Sequence, residues 1–590
     1  MTIRRVILGG FEEAYRFLQG ISDSLLNQNG PLRSMFAQNA RFIFRSTALY
    51  SLILRRALHP AYLRHGVDFS VQLDVLARKS LNSADKALTW ALIRAETALL
   101  WQLDIPRFTA RGDENALNAG SKDPIVGCYV NSAWDTARAK IESLCETDLR
   151  WQLALIVGTF DVRSANLGND GLDGSAGEEY GEIEPLGKDK LLDIAADLAN
   201  EVEAKAFRLA DGALGWMVLN YSPATERYTL QPMENDLYNG RAGVGLFFAA
   251  LANILADSSY AALARTALSP IRRWIKLAPD EELKEFGFSG YAGLSSVAYA
   301  LTRAGEFLGD DELVADGVIA GLRIRRDQIE GDDSLDAMGG SAGAILGLLA
   351  CYAATDEPAI LATAVACGRH LLRRRALDKF GHKSWPTLDK CHLTGFSHGA
   401  AGIVYALLRL YAVTEKAEFY DAAVEGIRFE GSAFVSTHGN WPDYRRAATK
   451  PSEDPMFCMA WCHGAPGIGL ARIAALDIMD DGEVRRDIEA ALASTSRANL
   501  LSRDHLCCGN AGLMDTLCTA GARLASVDWS DKALQLAART VARRNKLGSF
   551  RIAFHNEFYN PSLFQGTAGL GYQLLRLAEP TRIPSVLLLN

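Results

Sequence analysis

The sequence lacks the features of a secreted, membrane-spanning or nucleic-acid-binding protein. Its 590 residues contain no run of about 18 uncharged apolar residues, the length that a membrane-spanning helix needs. The N-terminal segment MTIRRVILGGFEEAYRF has too short an apolar run for a signal peptide. Ten cysteines in so long a chain do not form a disulfide framework, and 62 basic against 70 acidic residues argue against nucleic-acid binding. We therefore expect a cytoplasmic protein with no integral membrane segment.

A short glycine motif returns seven times in the second half of the chain. Each copy has a glycine, two variable positions, a second glycine and then an apolar segment. The first glycines are Gly240, Gly290, Gly340, Gly399, Gly464, Gly509 and Gly566. Amphipathic helical segments separate the copies. Buried inner helices that alternate with amphipathic outer ones predict an all-α fold, an α/α toroid with seven inner and seven outer helices.

Equivalent positions of successive copies lie side by side around the rim of a closed ring. The position before the first glycine holds Asn239, Ser289, Gly339, His398, His463, Cys508 and Gln565. Cys462 and Cys507 come one residue earlier in their copies. Reactive side chains therefore cluster in the fourth, fifth and sixth copies, as a functional rim requires.

Three cysteines from two neighbouring copies predict a metal site. Zinc prefers sulfur and nitrogen ligands in tetrahedral geometry, and a site with three protein ligands keeps one position for a substrate. Cys462, Cys507 and Cys508 precede inner helices, whose positive N-terminal ends favour the thiolate. His463 and His505 are alternative ligands. The alternative to a metal site is two unrelated clusters of buried cysteines.

His398 occupies the same rim position one copy before the first of these cysteines. A histidine there can exchange a proton near neutral pH, or it can be a structural hydrogen-bonding group. Asp236, which opens the first motif, can orient or stabilise such a histidine, or cap the inner helix. Asp336 has the same motif position, and we interpret it as a cap or loop residue.

Together these motifs resemble the lanthionine synthetase C-like family: SHGAAG, WCHGAPG and CCGNAG occur in the order and repeat setting of that family. The resemblance implies a toroid with zinc on its rim, where a peptide cysteine thiol adds to dehydroalanine or dehydrobutyrine and forms a thioether ring. It places the zinc ligands on Cys462, Cys507 and Cys508, the catalytic histidine on His398 and its acidic partner on Asp236.

The chain departs from some members of this family near the first zinc cysteine. Those members have an arginine four residues before it, and Cys458 stands at that position here. The role of that arginine is therefore absent in this chain or is supplied from elsewhere.

The first part of the chain resembles the end of the dehydratase domain of class II (LanM-type) lanthipeptide synthetases. RFIFRSTALYSLILRRALHP, LDIPRFTARGD and DLRWQLALIV carry this resemblance. We expect residues 1–165 to be a mainly helical remnant of that domain, 166–190 a linker and 191–590 the cyclase. Arg41 and Thr47 fall where the family eliminates phosphate, although an ordinary basic helix explains them equally well. No glycine loop for phosphate is found, so we expect that the chain cannot phosphorylate serine or threonine alone.

The sequence thus predicts a zinc-dependent cyclase of lanthipeptide biosynthesis in the bacterial cytoplasm. Its expected partner is a precursor peptide with a leader and dehydrated residues, and a separate dehydratase or kinase-like protein is a candidate second partner. A non-catalytic peptide-binding subunit that completes a split synthetase is the main alternative, but a purely structural zinc site would show a fourth protein ligand. A zinc-dependent protein prenyltransferase is a weaker alternative, because its Asp-Cys-His ligand set does not match these motifs.

Overall fold

The computed structural model describes residues 2–78, 86–119, 124–166, 183–209, 211–222, 227–445, 455–552 and 559–590. Contacts divide the chain into two units, residues 1–157 and 158–590, which we call the N-terminal unit and the ring unit. The glycine-rich stretch 168–182, which the sequence assigns to a linker, lies outside the described residues. The domain boundaries that the sequence suggests, 1–165, 166–190 and 191–590, stay predictions.

The N-terminal unit combines helices with a small antiparallel sheet. Its α-helices are Thr2–Gly20, Ser22–Leu26, Pro31–Phe36, Thr47–Ala57, Gly66–Leu73, Lys86–Trp101, Ala133–Glu142 and Glu146–Asn166, the last of which continues into the ring unit. Short 3-10 helices span Pro60–Tyr62 and Asp74–Leu76. Four strands, Asn39–Phe42, Phe108–Arg111, Ala116–Asn118 and Ile125–Val126, pair in chain order. The described part of this unit is mainly helical, as the sequence predicts.

The ring unit consists of two layers of helices. The inner helices are Arg241–Leu255, Leu294–Leu308, Ser341–Thr355, Ala400–Thr414, Ala465–Ala474, Asn510–Arg523 and Thr567–Ala578. The outer helices are Lys188–Ala204, Ser258–Leu277, Asp311–Leu322, Pro358–Arg374, Ala417–Ala433, Gly482–Arg497 and Val527–Leu547. Shorter helices span Asp280–Phe286 and Arg326–Glu330, and a 3-10 turn spans Leu388–Lys390.

Three hairpins complete the described part of the ring unit. Phe207–Arg208 pairs with Leu214–Gly215, Met217–Ser222 with Arg227–Pro232, and Ala376–Leu377 with Lys383–Ser384.

The hydrophobic pattern explains the two layers. The third inner helix, Ser341–Thr355, buries every residue from Ser341 to Cys351, so it has no face for solvent. The outer helix Ser258–Leu277 buries only one stripe, at Ala264, Ala267, Leu268, Ile271 and Ile275. This spacing of three and four residues places one apolar face against the inner layer.

The ring closes on itself. Each inner helix contacts the next, and the seventh also contacts the first. The seventh inner helix, Thr567–Ala578, packs against the outer helix Lys188–Ala204, which lies at the start of the unit. The prediction of an α/α toroid with seven inner and seven outer helices is therefore confirmed.

Each inner helix begins directly after a glycine. In the second copy that glycine is Gly293, whereas the sequence analysis assigned Gly290, three residues too early. The rim residue of this copy is therefore Ala292 rather than Ser289. The frame was ambiguous because Ser296 stands where the other copies have their second glycine. In those copies a Cβ at the second glycine would overlap a loop carbonyl oxygen.

The centre of the ring is packed with side chains. Beneath the rim, Tyr291, Trp461 and Phe564 lie with ring centroids 5.4 Å apart. The C-terminal segment enters the same core, where Leu587 is fully buried and accepts a hydrogen bond of 2.8 Å from the Tyr291 hydroxyl. The rim residues therefore lie above a packed core rather than above an open channel.

Candidate metal centre

Backbone hydrogen bonds join the loops that precede the inner helices. In six of the seven repeats, the residue two positions before the capping glycine donates its N–H to the equivalent residue of the adjacent repeat, with N···O distances of 3.0–3.4 Å. The links run from Met338 to Ser397, Ser397 to Cys462, Cys462 to Cys507, Cys507 to Phe564, Phe564 to Tyr238 and Tyr238 to Tyr291. Two of the three site cysteines are links in this series. Their positions are therefore fixed by the contacts that hold neighbouring repeats together.

The three cysteine sulfurs converge at the rim. The Sγ atom of Cys508 lies 3.2 Å from that of Cys462 and 3.3 Å from that of Cys507, and all three lie within 4.8 Å of one another. Hydrogen bonds from the other two thiols hold the pKa of Cys508 well below its usual range, so the first thiolate forms there. Zinc–sulfur bonds of about 2.3 Å in a tetrahedron place sulfurs roughly 3.8 Å apart, so the cluster fits a zinc ion.

A buried carboxylate supports the loop that carries His398. The Glu430 Oε1 atom accepts hydrogen bonds from the N–H groups of Gly395 and Ala401, at 3.0 and 3.1 Å, on either side of the histidine. Its Oε2 atom accepts a 2.8 Å bond from Arg472, and neither side chain is more than 1% exposed. Burial raises the pKa of Glu430, which the Arg472 charge partly offsets. The loop is therefore held by a fully desolvated ion pair.

His398 forms an ion pair or hydrogen bond with Asp336. The Nδ1 atom of His398 lies 2.7 Å from Oδ2 of Asp336, whose Oδ1 accepts a 2.7 Å bond from the N–H of Gly339. Asp336 is thus a loop cap, as the sequence suggested, and also the partner of the histidine. Because Nδ1 faces a carboxylate, the imidazole presents Nε2 for proton exchange.

The signal that identifies Asp336 is its place in the repeat order. Asp336 belongs to the third copy and His398 to the fourth, so the two residues are neighbours on the rim. Asp236 belongs to the first copy, although it has the same motif position. Residues of adjacent copies converge on the rim, which favours Asp336 over Asp236 as the carboxylate that contacts His398.

Asp236 lies elsewhere on the rim. Its Oδ1 atom accepts a 2.7 Å bond from the N–H of Asn239, and burial raises its pKa to about 6. It lines a cavity of about 170 Å³ together with Tyr238, whose hydroxyl bonds to Cys507. Asp236 therefore borders the sulfur cluster through Tyr238, and its catalytic role stays a prediction.

The two alternative ligands do not join the cluster. The Nε2 atom of His463 lies 3.3 Å from the Ser397 hydroxyl, and its ring stacks on His398 with centroids 5.8 Å apart. The Nδ1 atom of His505 accepts a 3.3 Å bond from the N–H of Cys508. Among the described residues, the candidate metal group contains the three cysteines and neither histidine.

An arginine that the sequence did not single out lies beside the cluster. Arg445 binds both carboxylate oxygens of Asp443 at 2.7–3.2 Å, and the Cys458 thiol donates to the same carboxylate at 3.4 Å. Burial lowers the pKa of Arg445, but the hydrogen bonds and charge of Asp443 raise it overall, with smaller contributions from Cys462 and Cys458. Arg445 thus supplies a cation near the first cysteine, and it comes from a segment outside the motif that contains Cys462.

Arg41 and Thr47 lie in the N-terminal unit. Arg41 is exposed on the strand Asn39–Phe42, opposite Thr109. Thr47 is the first residue of the helix Thr47–Ala57, which the Ser46 side chain caps. A role in phosphate elimination stays a prediction for both. In the same unit, Glu96 is buried against Arg45 and Tyr50, at 2.8 and 2.5 Å.

The described helices include none with the length and apolar character that crossing a bilayer demands. All ten cysteines are free thiols.

Comparison with known families assigns most of the ring unit. A family model described as lanthionine synthetase C-like protein matches residues 231–588, and one described as a domain of unknown function, DUF4135, matches residues 4–111. The biosynthesis protein LcnDR2 for lacticin 481/lactococcin, from Lactococcus lactis subsp. lactis, is 22% identical over 475 residues, 79% of this chain and 46% of its own. The chain spans about half the length of this curated relative.

Solved structures of low identity are also similar. Nisin cyclase superimposes with a TM-score of 0.47 at 16% identity, over 68% of this chain and 97% of its own. An unsaturated glucuronyl hydrolase from Bacillus sp. GL1 superimposes with a TM-score of 0.34 at 14% identity, over 52% of this chain and 83% of its own.

Proposed function

This chain belongs to the lanthionine synthetase C-like family, and from that membership we propose that its ring unit is a zinc-dependent cyclase that forms (methyl)lanthionine rings. The substrate is a precursor peptide in which serine or threonine has been dehydrated to dehydroalanine or dehydrobutyrine. The convergence of the sulfur atoms of Cys462, Cys507 and Cys508, beside the His398–Asp336 pair, carries the proposal.

Cys462, Cys507 and Cys508 would hold the zinc ion, which would supply a Lewis acid for the thiol of the substrate cysteine. Three protein ligands would leave a position open to that thiol. The bound ion with three thiolates carries a net negative charge, and Arg445 lies where its guanidinium offsets this charge. The Asp443 carboxylate keeps the guanidinium in place through its paired hydrogen bonds.

His398 moves the proton in the addition. Its Nδ1–H donates to Asp336, so its Nε2 accepts the proton that leaves the substrate thiol. A carbon–sulfur bond forms at the β-carbon of the dehydrated residue, its π bond breaks, and Nε2 returns the proton to the α-carbon. No atom is gained or lost, so the peptide keeps its mass.

Two finer points belong to the same proposal. The enzyme acts in the bacterial cytoplasm, which the ten free thiols support, since a reducing compartment keeps thiols free. The reaction consumes dehydrated residues, so a dehydratase must supply them, and we propose that a separate protein does so.

The proposed function is tested with a peptide that has already been dehydrated and that retains its cysteines. We expect the zinc-loaded protein to consume the free thiols without any change in peptide mass, and metal analysis to find one zinc per chain. Zinc-free wild-type protein that closes rings at the same rate would contradict the proposal. A protein that binds the peptide tightly but leaves its thiols unchanged would instead favour the non-catalytic subunit.

A further inference from the structure

A second cavity on the ring unit is connected to the metal centre through two segments of the chain. Its volume is about 310 Å³, and it opens beside the hairpin of Ala376–Leu377 and Lys383–Ser384. The side chains that define its character are Lys379, Phe380, Lys390, His392, Phe429 and Tyr444. None of these residues has a part in the proposed reaction.

Two segments connect the walls of this pocket to the centre. The Thr387 hydroxyl donates a 2.6 Å hydrogen bond to the carbonyl oxygen of His398, and Lys390 follows three residues later. Tyr444 lies between Asp443 and Arg445, which form the ion pair beside Cys462. The pocket therefore sits between the segment that touches the histidine loop and the segment that supplies the cation.

The pocket is positively charged. No carboxylate lies within 4.0 Å of the Lys379 or Lys390 ammonium group among the residues that the structure describes. Asp378, which also lines the pocket, is engaged by the backbone N–H groups of Phe380 and His382, each at 2.8 Å. Two ammonium groups without a carboxylate partner favour an anionic ligand.

Aromatic side chains give the pocket an apolar floor and edge. Phe429 is buried at its base, whereas Phe380 at its edge is 70% exposed. The Lys379 ammonium lies 4.9 Å from the centre of the Phe380 ring. A ligand that combines a carboxylate with an adjacent apolar side chain would pair with the lysines and cover the aromatic rings.

We propose that this pocket binds an acidic residue and its apolar neighbour within the substrate peptide, a few residues from the cysteine that reacts. The inference rests on the proposed function, since it identifies the ligand as the peptide that the metal centre modifies. An extended peptide advances about 3.3 Å per residue, so the number of residues between the acidic residue and the reactive cysteine reports the separation of the pocket from the centre. The pocket then selects which cysteine is presented for ring closure.

Binding to a set of short fluorescent peptides tests this inference. Each peptide carries one serine in place of the reactive cysteine, so that it cannot react, and a Glu-Phe pair placed at successive distances from it. Matched peptides carry Gln-Phe or Lys-Phe. For at least one spacing, we expect the zinc-loaded wild-type protein to bind the Glu-Phe peptide about tenfold more tightly than the Gln-Phe peptide, because a charge-assisted contact is lost.

Lysine variants locate the effect. Replacing both lysines with glutamine (Lys379→Gln with Lys390→Gln) should abolish the preference for Glu-Phe, and Lys390→Glu should shift it toward Lys-Phe. The control is Lys383→Gln, since Lys383 lies on the same hairpin but pairs with Glu425 at 3.3 Å and does not line the pocket. It should retain the wild-type preference.

The two proposals fail in different ways. Equal affinity for Glu-Phe and Gln-Phe peptides at every spacing, or an equal loss in the Lys383→Gln control, would overturn the pocket assignment. If reactive peptides then still lost their thiols, the cyclase would stand without the pocket. A preference for Glu-Phe that maps to Lys379 and Lys390, in a protein that never consumes thiols, would support the pocket and reject the cyclase.

Discussion

Both units bury a glutamate against an arginine, with different results. In the ring unit, the Glu430–Arg472 pair is fully buried, and Glu430 also accepts two N–H groups of the histidine loop. In the N-terminal unit, Glu96 is fully buried, but its partner Arg45 is 19% exposed. The Oε2 atom of Glu96 has no hydrogen-bond partner among the described residues.

The difference follows from what surrounds each pair. The ring unit has one continuous core that extends through all its repeats, whereas the described N-terminal unit has two small clusters. Twenty of the thirty exposed large hydrophobic residues of the described chain lie in the N-terminal unit, although it is much the shorter of the two. The buried Glu430–Arg472 pair therefore supports the loop that carries His398 in the ring unit. In the N-terminal unit, the Arg45–Glu96 pair connects the helix Lys86–Trp101 to the segment that precedes Thr47–Ala57.

The largest expected effect separates the metal site from the rest of the ring core. Cys508→Ala should abolish zinc binding and reduce ring closure by more than about 10³-fold, because a central sulfur of the cluster is lost. The control is Cys518→Ala, since Cys518 is a buried cysteine within the inner helix that follows Cys508, and this variant should keep both. Metal analysis and thiol consumption measure the two effects. Retained ring closure in Cys508→Ala would refute the ligand assignment.

The next effect distinguishes Asp336 from Asp236 as the carboxylate that assists His398. Asp336→Asn should lower kcat about 10²–10⁴-fold at full zinc occupancy, because His398 loses the carboxylate that orients it. Asp236→Asn, at the matching motif position, should lower kcat less. Steady-state rates with a dehydrated peptide compare the variants. The opposite order would restore Asp236 as the partner of the histidine.

Removing the buried carboxylate of the ring should destabilise that unit alone. Glu430→Ala leaves Arg472 buried with only Asp487 at 3.3 Å, and we expect a loss of about 3–5 kcal/mol in the free energy of unfolding. Hydrogen exchange, measured peptide by peptide, should show the loss in the ring unit. Glu425→Ala, which breaks a partly exposed pair with Arg375, should cost less than about 1 kcal/mol. Similar losses in the two variants would contradict the importance of burial.

The buried carboxylate of Asp236 should make the stability of the ring unit depend on pH. The pKa of Asp236 is raised to about 6 in the folded protein, so the folded state binds this proton more tightly than the unfolded chain. Its contribution is complete below the ordinary pKa of 3.8 and is lost as the pH rises through about 6, a change of roughly 3 kcal/mol. Urea unfolding of zinc-free protein at pH 4 and pH 7 should show this loss in the wild type. Asp236→Asn should remove it, and an unchanged pH dependence in that variant would assign the effect to other groups.

The smallest effect concerns the N-terminal unit. Glu96→Ala should lower its free energy of unfolding by about 1–3 kcal/mol, because Tyr50 and the partly exposed Arg45 lose a partner. Hydrogen exchange should increase in the helices Thr47–Ala57 and Lys86–Trp101. Zinc content and ring closure should not change. Loss of zinc in this variant would show that the two units are energetically coupled.

Repetition made most of the ring predictable from the sequence. The glycine motif fixed the inner helices, and the order of the copies brought Cys462 together with Cys507 and Cys508. The second copy was misplaced where Ser296 replaces a glycine, because local spacing alone set the frame. Arg445 was missed for a different reason: it lies outside every copy of the motif, and only the fold brings it to Cys462.

The closure of the ring also bears on the order of events during synthesis. The outer helix Lys188–Ala204 leaves the ribosome long before its partner Thr567–Ala578, and at about 5–20 residues per second the delay is on the order of tens of seconds. The N–H of Cys507 binds the carbonyl of Phe564 in that last repeat. The nascent chain can thus bring its cysteines close early, but their backbone support is complete only after the seventh repeat has been made. The three-cysteine site therefore reaches its final geometry only after the last repeat of the ring has joined the first.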